Sequence, residues 1–183
     1  MRLHIVLVFF MLVCAEAAGQ SLYTTDSSMV SFFSSTPVED IEAVNEVGIS
    51  MLNVAKSEVV FRIPMAGFQF EKPLMQEHFN ENYMETEKFP HASFQGILSD
   101  SLDLSKDTVY AVSATGILKI HGVDHASMYS GTIESNAGVI TLSCSFSVLL
   151  KDHDIKVPRV VFTNIAEEIE VKTFFRYKAY EKK

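Results

Sequence analysis

The chain has 183 residues, 48% of them hydrophobic and 21% charged, which suits one globular domain with a sizeable core and leaves too little for a second full domain. Its formal net charge of −8 argues against nucleic acid or an anionic membrane surface as a partner.

Residues 1–19 read as a secretory signal peptide: Arg2 precedes an apolar run from Leu3 to Cys14, followed by the small-residue stretch "AEAAG". The run is about 12 residues long, short of the roughly 20 that span a bilayer as a helix. The "MLV" before Cys14 lacks the small residue that lipoprotein processing requires, so cleavage is expected near Gly19 or Gln20, leaving one exported domain over residues 20–183. Cys144 is then the only cysteine and has no internal disulfide partner.

After the leader, period-2 alternation dominates. "SMVSFFSS" at 28–35 reads as a strand. "TPVEDIEAVN" at 36–45 offers Thr36 as N-cap, Pro37 at the first helical position and Glu39 three residues after the cap. This capping-box pattern predicts a short helix packing Val38, Ile41 and Val44. Strands follow at 49–54 and 58–65. "KPLMQEHFNENYME" at 72–85 predicts a second helix, with Pro73 in its first turn, Leu74, Met75, Phe79 and Tyr83 on one face, and Glu77, Glu81 and Glu85 opposite.

Further strands are predicted at 91–98, at 109–122 with Gly116 as a bend or bulge, and at 127–134. "ITLSCSFSV" at 140–148 puts Ile140, Leu142, Cys144, Phe146 and Val148 on one face. "IEVKTFFRY" at 169–177 does the same for Ile169, Val171, Thr173, Phe175 and Tyr177, with Phe174 interrupting the polar face. Roughly eight strands joined by short turns predict an all-β antiparallel barrel or sandwich with short helices.

The chemistry-bearing residues are scattered. His78 and Glu81 stand one turn apart near Glu77 and His91, and "HGVDH" places His121 and His125 around a turn beside Asp124. These could serve a metal, but the spacing lacks the two-histidine helical pattern of zinc proteases. Polar residues are also what turns and solvated helix faces ordinarily contain. No nucleophile elbow, phosphate loop or dinucleotide fingerprint occurs, so neither catalysis nor a cofactor is expected. More distinctive is the concentration of Met65, Phe68, Phe70, Leu74, Met75, Phe79, Tyr83, Met84, Phe89 and Phe94 around the second helix. Either the helix plugs a barrel and these are core, or they line the entrance to a cavity.

The stretch "GFQFEKPLMQEHFNENYMETEKFPHASFQG", followed by "ATGILKIHGV" and later by "FSVLLKDHDIKVPRVV" and "IAEEIEVKTFFRYK", resembles the YceI-like family of exported lipid- or polyisoprenoid-binding proteins, in particular the branch common in Bacteroidetes. The resemblance implies an eight-stranded, lipocalin-like antiparallel barrel with a helical insertion near one end and an elongated apolar tunnel. It implies a non-catalytic periplasmic or secreted protein, monomeric or homodimeric, that holds an isoprenoid or similar apolar lipid without membrane insertion. Phe68, Phe70, Met75, Phe79, Tyr83, Met84 and Phe94 become the expected tunnel residues. His78, Asn82 and His121 become the expected polar rim, facing a neutral head such as a quinone, because the acidic stripe would repel phosphate. The alternatives are a metal-binding envelope protein using His78, Glu81, His91, His121 or His125, and a structural barrel filled by its own side chains.

Overall fold

The computed structural model describes residues 21–37, 39–156 and 165–181; the expected signal peptide at residues 1–19 lies outside them. Ten strands form one antiparallel sheet: β1 (Leu22–Ser35), β2 (Asp40–Asn45), β3 (Ile49–Asn53), β4 (Glu58–Pro64), β5 (Gln69–Phe70), β6 (His91–Leu98), β7 (Thr108–Ile120), β8 (Val123–Asn136), β9 (Val139–Leu149) and β10 (Glu168–Ala179). The order β10-β9-β8-β7-β6-β4-β3-β1 closes because β10 also pairs with β1, from Tyr23 opposite Ala179 to Phe33 opposite Glu170. Eight strands thus make a barrel without a free edge between first and last. β2 and β5 extend the sheet from the far half of β1.

Side chains alternate across this wall as the strand patterns require. Ile133, Ile140, Leu142, Phe175 and Tyr177 are buried inside, whereas Phe174, the exception on its polar face, lies opposite Met29 with both side chains well exposed. The predicted bend at Gly116 is a close approach instead, since the register from β6 to β7 runs through Gly96 opposite Gly116 without a shift. A Cβ on Gly116 would come within 2.1 Å of the Gln95 carbonyl oxygen, so the two strands touch where only glycine fits.

The helix predicted over residues 36–45 is absent, and β2 occupies most of the segment. Thr36 does make the capping contact, Glu39 N–H donating to Thr36 Oγ1 at 3.2 Å, but the Thr36 N–H also donates to the Glu39 carbonyl at 3.2 Å. The pair therefore closes a turn between two strands. Ile41, Ala43 and Asn45 alternate inward and pair against β1, so period-2 burial overrides the helical spacing of Ile41 and Val44; Val38 lies outside the described residues.

β2 and β3 share one register on β1, with Ser35 opposite Asp40, Val30 opposite Asn45 and Leu22 opposite Asn53. They are one strand interrupted at residues 46–48. Fully buried Asn45 seals the break: its Nδ2 donates to the Pro64 carbonyl at 2.7 Å and its Oδ1 accepts from Val47 N–H at 2.9 Å. Ser28 Oγ donates to the Gly48 carbonyl at 2.8 Å. Backbone groups that leave the ladder thus find buried partners.

One barrel end carries the insertion between β4 and β6, the β7–β8 turn and a 3-10 turn at Leu150–His153. At the other end, the loop before β7 buries Leu102 and accepts a hydrogen bond from Ser135 Oγ at the Leu104 carbonyl, 3.0 Å. β8 and β9 pair only from Gly131 opposite Cys144 to Asn136 opposite Val139. Towards the insertion, side chains link them: Cys144 Sγ donates to the Ser130 carbonyl at 3.2 Å, and the Tyr129 and Phe146 rings meet at 4.3 Å.

Candidate functional site: an apolar cavity beneath the insertion

The insertion is built to put one face on the barrel. α1 (Pro73–His78) starts with proline at a position where a missing N–H is harmless. Gln76 ties it to the preceding segment, Nε2 donating to the Phe68 carbonyl at 2.6 Å and Oε1 accepting from Phe70 N–H at 3.3 Å. α1 then widens into a π turn over Phe79–Tyr83, closed by Met84 N–H to the Phe79 carbonyl at 2.9 Å.

That widening decides which side chains face inward. In a continuous α-helix, Met84 would stand about 140° around the axis from Phe79. The wider turn brings both to the same side, where Phe79, Tyr83 and Met84 are all buried. Such π turns often occur at functional sites. Leu74, expected on the apolar face, is exposed instead, while its neighbour Met75 lines the cavity.

Beneath this cover lies a cavity of about 230 Å3, larger than the roughly 150 Å3 apolar void that admits benzene in an engineered core. Phe68, Phe70, Met75, Phe79, Tyr83, Met84 and Phe94 all line it, so the structure brings the seven expected tunnel residues to one space. At the covered end, Phe32 packs against Phe68, Phe70 and Phe79 with ring centroids 5.3, 5.6 and 5.6 Å away. Deeper, Phe94 meets Phe61 at 6.4 Å and Tyr129 at 5.6 Å. Sequence reasoning missed Phe32, Phe61, Tyr129 and Phe146 as lining residues. Their alternation marked an inward face, but only barrel closure brings them together.

No Lys, Arg, Asp or Glu is among the described lining residues. The polar atoms come from His78, two phenols and a few small side chains such as Ser34, Ser93 and Thr173. Burial pushes the Tyr83 and Tyr129 phenols and the Cys144 thiol above their ordinary pKa ranges, so these three groups stay protonated and uncharged at neutral pH. An unactivated thiol there is a small hydrophobe and a weak donor.

Of the expected polar rim, only His78 reaches the cavity wall. Asn82 is a correction: it is exposed on the outer side of the π turn. His121 is another, since the β7–β8 turn, where its φ is +52°, directs its ring to other partners. Its Nε2 lies 2.9 Å from Glu85 Oε2, its Nδ1 3.2 Å from the His153 carbonyl, and its ring 4.4 Å from Phe89. His121 therefore fastens the end of the insertion to the barrel rim.

The residues of the metal alternative do not converge. His91 Nδ1 faces Arg62 at 3.3 Å, His121 faces Glu85, and His125 lies 3.0 Å from Ser127 Oγ and 3.8 Å from Asp152. Glu81 is solvent-exposed. Among the described residues, no group of three or more His, Cys, Asp or Glu side chains is placed to hold a metal ion.

His153 carries a pH dependence. It is almost wholly buried, and desolvation lowers its pKa although its Nδ1 lies 3.4 Å from the Val123 carbonyl. The unfolded chain therefore binds this proton more readily than the folded one, so the neutral ring's contribution is intact above the unfolded value of about 6.5 and is lost as pH falls from there through the lowered folded value. Thermal melts should show the midpoint falling between pH 7 and pH 5, with a smaller fall in His153→Gln. An equal fall in both proteins would assign the effect elsewhere.

The YceI-like domain family model matches residues 23–176. No curated protein matches the chain. The fold is similar to a polyisoprenoid binding domain from Saccharophagus degradans implicated in plant cell wall breakdown, at 16% identity and TM-score 0.71, covering 86% of this chain and 98% of that one. It is also similar to Burkholderia cenocepacia BcnA, at 16% identity and TM-score 0.68 over 81% and 95% of the two chains. A YCEI protein from Campylobacter jejuni aligns at 14% identity and TM-score 0.53 over 71% of this chain and 78% of its own. At these identities the likeness is one of fold.

Proposed function

The chain belongs to the YceI-like domain family, and from that premise we propose that it holds a neutral isoprenoid lipid in the barrel for carriage, storage or sensing, without chemistry. The observation that carries this reading is the apolar cavity, whose described lining residues include no Lys, Arg, Asp or Glu. Each buried methylene contributes about 0.8 kcal/mol, so an isoprenoid tail can bind tightly without an ionic partner. A phosphate inside the cavity would meet no lysine or arginine among the described lining residues and would lose its hydration without compensation from them. A quinone or polyprenol therefore fits better than a prenyl pyrophosphate. The similar Saccharophagus degradans domain, described as polyisoprenoid binding, supports the ligand class. The signal-like residues 1–19 support an exported protein that meets its lipid in the periplasm or outside the cell.

The test is native mass spectrometry of protein purified from its source, followed by organic extraction. The expected result is a mass increment released by solvent and identified as a neutral prenyl lipid. Empty protein that also takes up neither quinones nor polyprenols would overturn the reading.

A further inference from the structure

Tyr83 is more than nine-tenths buried, lines the cavity, and makes no hydrogen bond among the described residues. The hydroxyl is not sealed off, since the buried side-chain polar atom without a partner among the described residues is Asn80 Oδ1, so it is open to a hydrogen bond from outside the chain. By carrying Phe79, Tyr83 and Met84 to the cavity side, the π turn sets this phenol in the cavity wall.

We propose that the Tyr83 hydroxyl is the polar anchor of the site, donating a hydrogen bond to a neutral ketone, quinone or alcohol oxygen of the lipid and thereby placing its oxygenated end beneath the insertion. The inference rests on the lipid-holding reading above and specifies it. Burial keeps this phenol protonated at neutral pH, so it is a donor. The absence of Lys, Arg, Asp and Glu from the described lining residues makes a neutral oxygen the compatible acceptor. Asn82 and His121, on the outer side of the insertion and in the rim latch, have no part in this contact.

The experiment compares two isoprenoid probes, farnesylacetone, which ends in a ketone, and farnesene, which has no oxygen. Both are titrated into the full-length protein and into Tyr83→Phe by displacement of a fluorescent fatty-acid analogue. In the native protein the ketone should bind more tightly than the hydrocarbon, and the ratio of the two affinities should fall roughly 2- to 12-fold in Tyr83→Phe, the worth of one neutral hydrogen bond. The infrared carbonyl band of bound farnesylacetone should lie at lower frequency in the native complex than in the variant. If both probes bind but the affinity ratio and carbonyl band are the same in both proteins, the anchor is refuted and the lipid-holding reading stands. If neither probe binds the native protein, the lipid-holding reading falls, and this inference with it.

Discussion

Alanine in place of Asn45 is expected to lower stability by about 4 kcal/mol, since a fully buried amide is lost and two partly buried backbone groups lose their partners at about 1–3 kcal/mol each. The groups are the Pro64 carbonyl and the Val47 N–H, and Asn45 itself is fully buried. For a domain of this size the melting midpoint should drop by roughly 8–16 °C. Asn45→Asp should be worse, because it retains an acceptor for Val47, loses the donor to Pro64 and buries a charge. Circular-dichroism melts of the three proteins would check the order, and a loss below about 1 kcal/mol in Asn45→Ala would show that the break between β2 and β3 is held by other contacts. The site should also loosen. A Cβ on Gly67 would lie 2.8 Å from Asn45 Nδ2, so the turn that leads into the insertion is seated directly on this amide.

The second large effect is on the ligand. Ala114 lines the cavity midway along β7, paired with Leu98 on one side and Tyr129 on the other. Ala114→Phe places a ring inside a space of about 230 Å3. Excluding at least three methylenes of a bound tail costs about 2.4 kcal/mol at ~0.8 kcal/mol each, a loss of affinity of roughly 50-fold or more. Stability should change little, because the ring enters a void and not a filled core. Ile117→Phe, at an exposed position on the same strand facing outward, is the control and should leave uptake as it was. Equal binding by Ala114→Phe and the native protein would mean that the lipid sits outside the barrel.

Much of the wall was legible in the sequence. The alternation in 140–148 and 169–177 identified the inward faces of β9 and β10 residue by residue, because a strand's side-chain period is fixed by the backbone. Pro73 and the apolar spacing after it located the insertion. Residues 36–45 were misread because capping chemistry is local and the same Thr36–Glu39 contact can open a helix or close a turn. The long-range ladder with β1 decides between them. Asn82 and His121 were misplaced for a related reason: composition marks a polar segment, but the direction of each side chain depends on a π turn and on a positive-φ residue in a tight turn.

By itself, then, the sequence determined an antiparallel β domain, the faces its strands turn inward and an aromatic-rich insertion, all consequences of backbone periodicity and near-neighbour chemistry. Only the tertiary structure decided that β2 and β3 are one interrupted strand, that Phe32, Phe61, Phe94, Tyr129 and Phe146 share one cavity, and that Tyr83 enters it without a hydrogen-bond partner. Each of these depends on barrel closure, which brings together residues far apart in the chain, and no local pattern encodes which of them will meet.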